Sequence, residues 1–288
     1  MTSLPARLVS CALRALAALA FGAAAIGAAS AAPAKPGRIV SLNLCTDELV
    51  LRLARPEHVA SVTWLARDPR NANMAEAARM VGVNHGLVEE VLATRPDLVV
   101  AGAYTTRSTV ALLRRVGMPV QEFGVPRNLA EMRAQIAEMA ALIGEEERGA
   151  ALLAEIDTRL AALAARRPAE RRRAIVLRPS GFTVGRGSLV DEVLTLAGLD
   201  NVAARLGIDS YGQIALETVA LGGAELLILN DTPDGSPSLA HELLRHPLIG
   251  ALGERLKLIT LPARLWTCAG PSVLDAIELL ARAGEGKP

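Results

Sequence analysis

Two α/β lobes with mostly parallel sheets, joined by one long α-helix, form the fold class that the sequence predicts, and three observations predict it. Short aliphatic runs alternate with helical stretches over 38–123, the same alternation returns over 174–283, and a stretch of sustained helical period lies between them. The length of 288 residues suits one large domain or two lobes. Lys and Arg number 31 against 30 Asp and Glu, and the resulting charge of +1 argues against a nucleic-acid binder. An apolar content of 51% excludes a mostly disordered chain.

Residues 1–31 read as a secretory signal peptide. Arg7 and Arg14 supply the positive start, 16–29 is apolar and alanine-rich, and Ala29-Ser30-Ala31 fits a small-x-small cleavage site. The apolar run is too short for a membrane span. Leu8-Val9-Ser10-Cys11 resembles a lipoprotein box but precedes the apolar run, where such a box has no meaning. Removing Arg7 and Arg14 with the signal leaves 29 basic and 30 acidic groups, a nearly neutral exported protein. The expected location is the periplasm, where chemistry needing cytosolic nucleotide cofactors is out of place.

The N-terminal lobe is expected over 37–127. Arg38-Ile39-Val40-Ser41-Leu42 is its first strand, and Thr46 is expected to cap the following helix, with Asp47 and Glu48 in the first turn where the dipole favours acids. Strands follow at 59–63, 97–101 and 119–123, and helices at 89–93 and 108–116. A helical segment occupies 128–168. In it Leu129, Met132, Ile136, Met139 and Ile143 form one apolar face, and Gly144 interrupts it. Gly149, Leu153, Ile156, Leu160 and Leu163 carry the stripe through a second helix, about 145–167, which starts at three glutamates and ends at Arg166, Arg167 and Pro168. Its length and place suit a rigid rod between lobes. The C-terminal lobe is expected over 172–288, with strands at 174–177, 225–229 and 257–261, a glycine-rich turn at 181–187, and helices at 188–197 and 271–283.

Two segments repeat weakly: Glu89 to Gly102 (EEVLATRPDLVVAG) and Glu217 to Asn230 (ETVALGGAELLILN). In each, a glutamate opens a short helix and a strand starts eight residues later, although helix–turn–strand units resemble one another in general.

Enzyme signatures fail. The chain has no Gly-x-Ser-x-Gly elbow and no Walker loop. His241 and His246 are five apart, where a shared metal on a helix needs four. Gly185-Arg186-Gly187 lacks the third glycine and the preceding strand of a dinucleotide loop. The mature cysteines are Cys45 and Cys268, and the sequence leaves open whether they pair or stay free in the cleft. The aromatic residues are few: two Trp, two Tyr and three Phe. Phe21 lies in the signal and Phe123 ends a strand. Trp64, Tyr104, Phe182, Tyr211 and Trp266 sit just beyond strand ends or in turns, where parallel α/β sheets bind ligands. Scarce aromatics so placed point to a large, partly apolar ligand. Arg67, Arg107, Arg186 and Arg264 lie in the same segments and offer partners for anionic groups.

Taken together, 37–283 resembles the periplasmic binding proteins of ABC importers for cobalamin and ferric siderophores. The resemblance rests on RIVSLNLCTDELVLRLA (38–54), EEVLATRPDLVVAG (89–102), the helix through 143–167, FTVGRGSLVDEVLTLAGLDNVA (182–203) and LPARLWTCAGPSVLDAIELLA (261–281). It implies a class III periplasmic binding protein-like fold, with a spanning helix and a ligand between lobes that move little. It implies no catalysis, no covalent cofactor, a monomer, and no nucleic acid or bound metal ion of its own. The implied ligand is a ferric siderophore or cobalamin, and the implied partner is an ABC transporter permease with its ATPase. Ligand contacts then fall on Trp64, Tyr104, Phe182, Arg186, Tyr211 and Trp266, and permease docking on Glu89 and Glu217. Two features depart from the family: Leu42-Asn43-Leu44-Cys45 stands where Ser-Pro is common, and no cluster of three arginines for a catecholate is evident. The alternatives are haem with Tyr104 or Tyr211 as axial ligand, a bare divalent metal on His85, Cys45 and Cys268, and an exported enzyme or chelatase.

Overall fold

The computed structural model describes residues 35–285 except 106, 167, 232–243, 245 and 254. The signal reading over 1–31 and the pair with His241 therefore lie outside the described residues. In the N-terminal part run β1 (Ile39–Ser41), α1 (Leu44–Leu53), β2 (Val59–Thr63), α2 (Ala75–Arg79), β3 (Gly82–Asn84), α3 (Val88–Ala93), β4 (Leu98–Gly102), α4 (Arg107–Arg115) and β5 (Val120–Phe123). Their sheet has the order β3-β2-β1-β4-β5, and its paired strands are parallel. Val99, Val100 and Ala101 of β4 are wholly buried, as expected of a central strand covered by helices on both faces.

The cap of α1 differs from the expectation. Asn43 is the cap, its Oδ1 accepting from the Cys45 amide at 2.9 Å, while Thr46 sits inside the helix and donates to the Asn43 carbonyl at 2.9 Å. Asn43 wins because an Asx side chain reaches an amide two residues on from an extended backbone.

Helices α5 (Leu129–Leu142) and α6 (Glu146–Ala164) form the middle. Gly144 separates them at φ 69°, a left-handed turn that glycine takes without penalty. A Cβ on Gly149 would come within 2.4 Å of the Ala140 Cβ, so a glycine lets the two helices meet closely. Nineteen residues make α6 about 29 Å long. It ends at Ala164, before the expected arginine pair.

The C-terminal part contains β6 (Arg172–Leu177), β7 (Phe182–Val184), α7 (Leu189–Leu196), β8 (Leu199–Asn201), α8 (Val202–Arg205), β9 (Tyr211–Gln213), α9 (Leu216–Leu221), β10 (Leu226–Asp231), α10 (Pro247–Leu252), β11 (Lys257–Pro262), α11 (Arg264–Thr267) and α12 (Val273–Gly284). A parallel sheet runs β11-β10-β6-β8. The expected glycine-rich turn at 181–187 is instead partly a strand: β7 pairs antiparallel with β9. Three residues are too few to show a period in sequence, and only the partner strand fixes them.

One apolar core runs through both lobes. It joins Ile39 and Val100 of the first sheet to Met132, Ile136, Met139 and Ile156 of the middle helices, and on to Val176, Ile228, Leu274 and Ile277. Polar ties reinforce it. The Leu129 amide donates to Glu192 Oε2 at 2.7 Å, and Arg159 of α6 pairs with Asp275 and Glu278 of α12 at 2.6 and 2.7 Å.

Candidate functional site between the lobes

In the first sheet the chain leaves β1 to one side for β2 and β3, then returns to the other side at β4. Such a reversal opens a crevice at the carboxyl ends of the two strands. Asn43 follows β1 and Gly102 ends β4. Asn43 Nδ2 donates to Thr105 Oγ1 at 2.7 Å across the crevice. A Cβ on Gly102 would lie 2.9 Å from that oxygen and 3.0 Å from Asn43 Nδ2, so glycine leaves room for this bridge.

Above the bridge lies a cavity of about 150 Å³ lined by Asn43, Gly102, Tyr104, Thr105, Phe123 to Pro126 and Gln135, and from the second lobe by Thr267 and Ala269. A ligand pocket for a bulky molecule spans roughly 300–1,000 Å³, so this cavity holds one edge of such a guest.

The loops around Cys45 and Cys268 meet beside it. Their sulfurs are bonded, with Cα atoms 5.1 Å apart at a sequence separation of 223. Next to this link Ser272 Oγ donates to Glu48 Oε1 at 3.1 Å, and Asn73 Nδ2 donates to the Arg264 carbonyl at 2.8 Å. The carboxyl ends of both sheets therefore face each other across a closed seam. The bond also removes the metal alternative, because disulfide sulfurs are not thiolate ligands, and His85 Nδ1 lies 3.0 Å from Glu90.

Asp47, in the first turn of α1, is buried, and burial pushes its carboxyl up to about 7 against the lowering effect of its bond to Thr63. Thr63 donates to it from both amide and hydroxyl, at 3.2 and 2.5 Å.

On the second lobe, Arg178 follows β6, and its guanidinium lies 5.4 Å from the centre of the Trp266 ring. Trp266 Nε1 donates to Asn230 Oδ1, in β10, at 2.9 Å, so the indole is held from behind. Burial pushes the Arg178 guanidinium down from its ordinary value, and nearby Tyr211 opposes that shift.

The residues singled out from sequence do not all meet. Tyr104 lines the cavity, with 75% of its surface exposed. Trp64 is exposed in the turn after β2, and Phe182 and Tyr211 are exposed on the β7–β9 pair. Trp266 is only 4% exposed, beneath Arg178. Arg186 has different company: it faces Asp209 at 3.7 Å, donates to the Ala204 carbonyl at 3.0 Å, and lines a polar cavity of about 210 Å³ with Arg171 and Arg205. Arg67 is spent on the carbonyls of Ala78 and Val81. Glu89 and Glu217 are exposed in the first turns of α3 and α9. The same spacing separates each of these helices from its following strand, β4 or β10. Asn43, Gly102, Gln135 and Arg178 are site residues that the sequence does not single out. The Leu-Asn-Leu-Cys departure after the first strand was the one available signal for Asn43.

A model described as "Periplasmic binding protein" matches residues 39–252. The chain belongs to this family. Members of the family bind substrates and are not enzymes. Two curated relatives, each named cobalamin-binding protein, come from two strains of Halobacterium salinarum. They are 25% identical over 214 residues, and the match takes in 73% of this chain and 58% of each relative's length. Among solved structures, the periplasmic heme-binding protein RhuT of Roseiflexus sp. RS-1 is 25% identical at a TM-score of 0.68, covering 86% of this chain and 98% of that one. The vitamin B12 binding protein BtuF of Vibrio cholerae has a TM-score of 0.66 at 19% identity, covering 88% and 99%. At that identity the likeness speaks for the fold. No helix among the described residues is long and apolar enough to cross a membrane.

Proposed function

We propose that the chain captures a metal chelate, cobalamin or a ferric siderophore, in the cleft between its lobes and hands it to an ABC importer permease in the periplasm. The observation that carries this reading is the pair of parallel sheets whose carboxyl ends meet across a cavity rimmed by Tyr104. Curated relatives named for cobalamin support the corrinoid. Trp64, Phe182 and Tyr211 offer exposed rings for the apolar faces of the guest. No bond is made or broken, so the work is binding alone.

The test is the absorbance spectrum and mass of whatever co-purifies, followed by calorimetry with cyanocobalamin, ferrioxamine B and hemin. One of the three is expected to bind at a single site per chain, and binding of none overturns the reading. Trp64→Ala is expected to weaken the productive ligand about tenfold, the worth of one aromatic contact. Haem is the second reading, favoured by the exposed phenol of Tyr104 at the cavity.

Glu89 and Glu217 serve in this reading as the two permease contacts, one per lobe, pairing with arginines of the transporter. The double variant Glu89→Ala, Glu217→Ala is expected to keep ligand affinity and to lose stimulation of the permease ATPase in proteoliposomes. Full stimulation removes the docking assignment.

A further inference from the structure

Arginines in and around the cleft are mostly occupied. Arg52 pairs with Glu48, Arg67 donates to two carbonyls, and Arg186 faces Asp209. Arg178 differs. Its Nε is buried without a hydrogen-bond partner among the described residues, and no described carboxylate forms an ion pair with its side chain. A guanidinium carries five N–H donors in a planar fork, and leaving the buried Nε–H dry is costly.

The surroundings hold this donor in place. Behind it, the Trp266 ring is fixed by its bond to Asn230. The backbone after β6 turns tightly, the Arg178 amide donating to the Phe182 carbonyl at 2.7 Å and Ser180 sitting at φ 59° in the left-handed region. A non-glycine residue there is strained, and such strain gathers where a side chain must be aimed. Arg178 stands at the carboxyl end of β6, the edge of the second sheet that carries Cys268 and Trp266 toward the first lobe.

We propose that Arg178, stacked on Trp266, is the residue that selects an anionic edge of the ligand, so the carried chelate bears an oxyanion, a carboxylate or a phosphate. The inference rests on the carrier reading and deepens it by naming a charge requirement. An oxyanion entering beside Trp266 fills the vacant donors with charge-assisted bonds, and the planar fork suits either acid geometrically. The pairing forms only in the complex, so it separates acidic chelates from otherwise equal neutral ones.

The test compares matched probes in calorimetry: hemin with its dimethyl ester, cyanocobalamin with dicyanocobinamide, which lacks the nucleotide phosphate, and succinylated ferrioxamine B with ferrioxamine B. In the wild type, the acidic member of whichever pair binds is expected to bind at least tenfold more tightly. Arg178→Gln is expected to weaken that member roughly ten- to hundredfold and its acid-free partner little, with Arg178→Lys restoring part of the difference. In the ligand-free protein Arg178→Gln is expected to change the Tm little, because the lost stacking on Trp266 is offset by removing a buried donor that has no hydrogen-bond partner among the described residues. Carboxylate and phosphate are told apart by which pair responds. Equal affinities within a binding pair, or equal losses in Arg178→Gln, overturn the inference and leave the carrier reading standing. Binding of no pair overturns both.

Discussion

In the N-terminal lobe the polar side chains at the strand ends satisfy one another. Asn43 bridges to Thr105, Asp47 takes bonds from the Thr63 amide and hydroxyl, and Glu48 holds Arg52. In the C-terminal lobe the corresponding edge keeps the buried Nε of Arg178 without a hydrogen-bond partner among the described residues, and adds a two-stranded ribbon that exposes Phe182 and Tyr211. The difference teaches a division of labour. One lobe supplies a settled floor with a shaped notch, and the other supplies groups that still need a partner. A pre-satisfied surface costs little to keep dry, while an unsatisfied one gains from a guest.

The largest expected effect tests whether the lobes are separate at all. Replacing both Cys45 and Cys268 with Ser removes a link between residues 223 apart, which chain-entropy reasoning values at about 5 kcal/mol. Because one apolar core runs through both lobes, chemical denaturation is expected to show a single, earlier transition. Two transitions would mean that the lobes fold apart and that their contrast is one of independent domains.

A smaller effect marks the N-terminal lobe alone. Asp47 is held at about 7 in the folded chain against 3.8 as its ordinary value, so the folded state keeps the proton that the unfolded state loses. Stability contributed by this group therefore falls as pH rises from about 4 to about 7, then levels off, with a limiting slope of about 1.4 kcal/mol per pH unit. Asp47→Asn, which keeps an acceptor for the Thr63 amide, is expected to flatten the curve in urea melts taken across that range. An unchanged slope would place the pH dependence elsewhere.

The smallest sharpens the notion of a shaped floor. Gly102→Ala pushes a methyl group against Thr105 and Asn43 and is expected to cost about 1 kcal/mol, read as a drop of a few degrees in Tm. Ligand affinity should fall for acidic and acid-free probes alike, since the notch has no part in reading charge. A loss confined to acidic probes would erase the distinction between the lobes.

Apolar period and turn chemistry are local, and they made legible the longer parallel strands, Gly144 as the break, and the long helix to within a few residues of its ends, but not the three-residue edge strands β3 and β8. The sequence by itself also drew attention to Tyr104 through the scarcity of aromatics. Tertiary structure alone decided the rest. The sequence pointed to Thr46 as the cap, and the extended backbone at Asn43 moves the cap there. The ribbon β7–β9 exists only because its two short strands meet. Arg186 and Arg178 are both arginines just past a strand of the second lobe, yet one finds Asp209 and the other an indole face. Nothing local distinguishes them, because what a charged side chain does depends on which distant groups the fold brings within reach and how much water it removes.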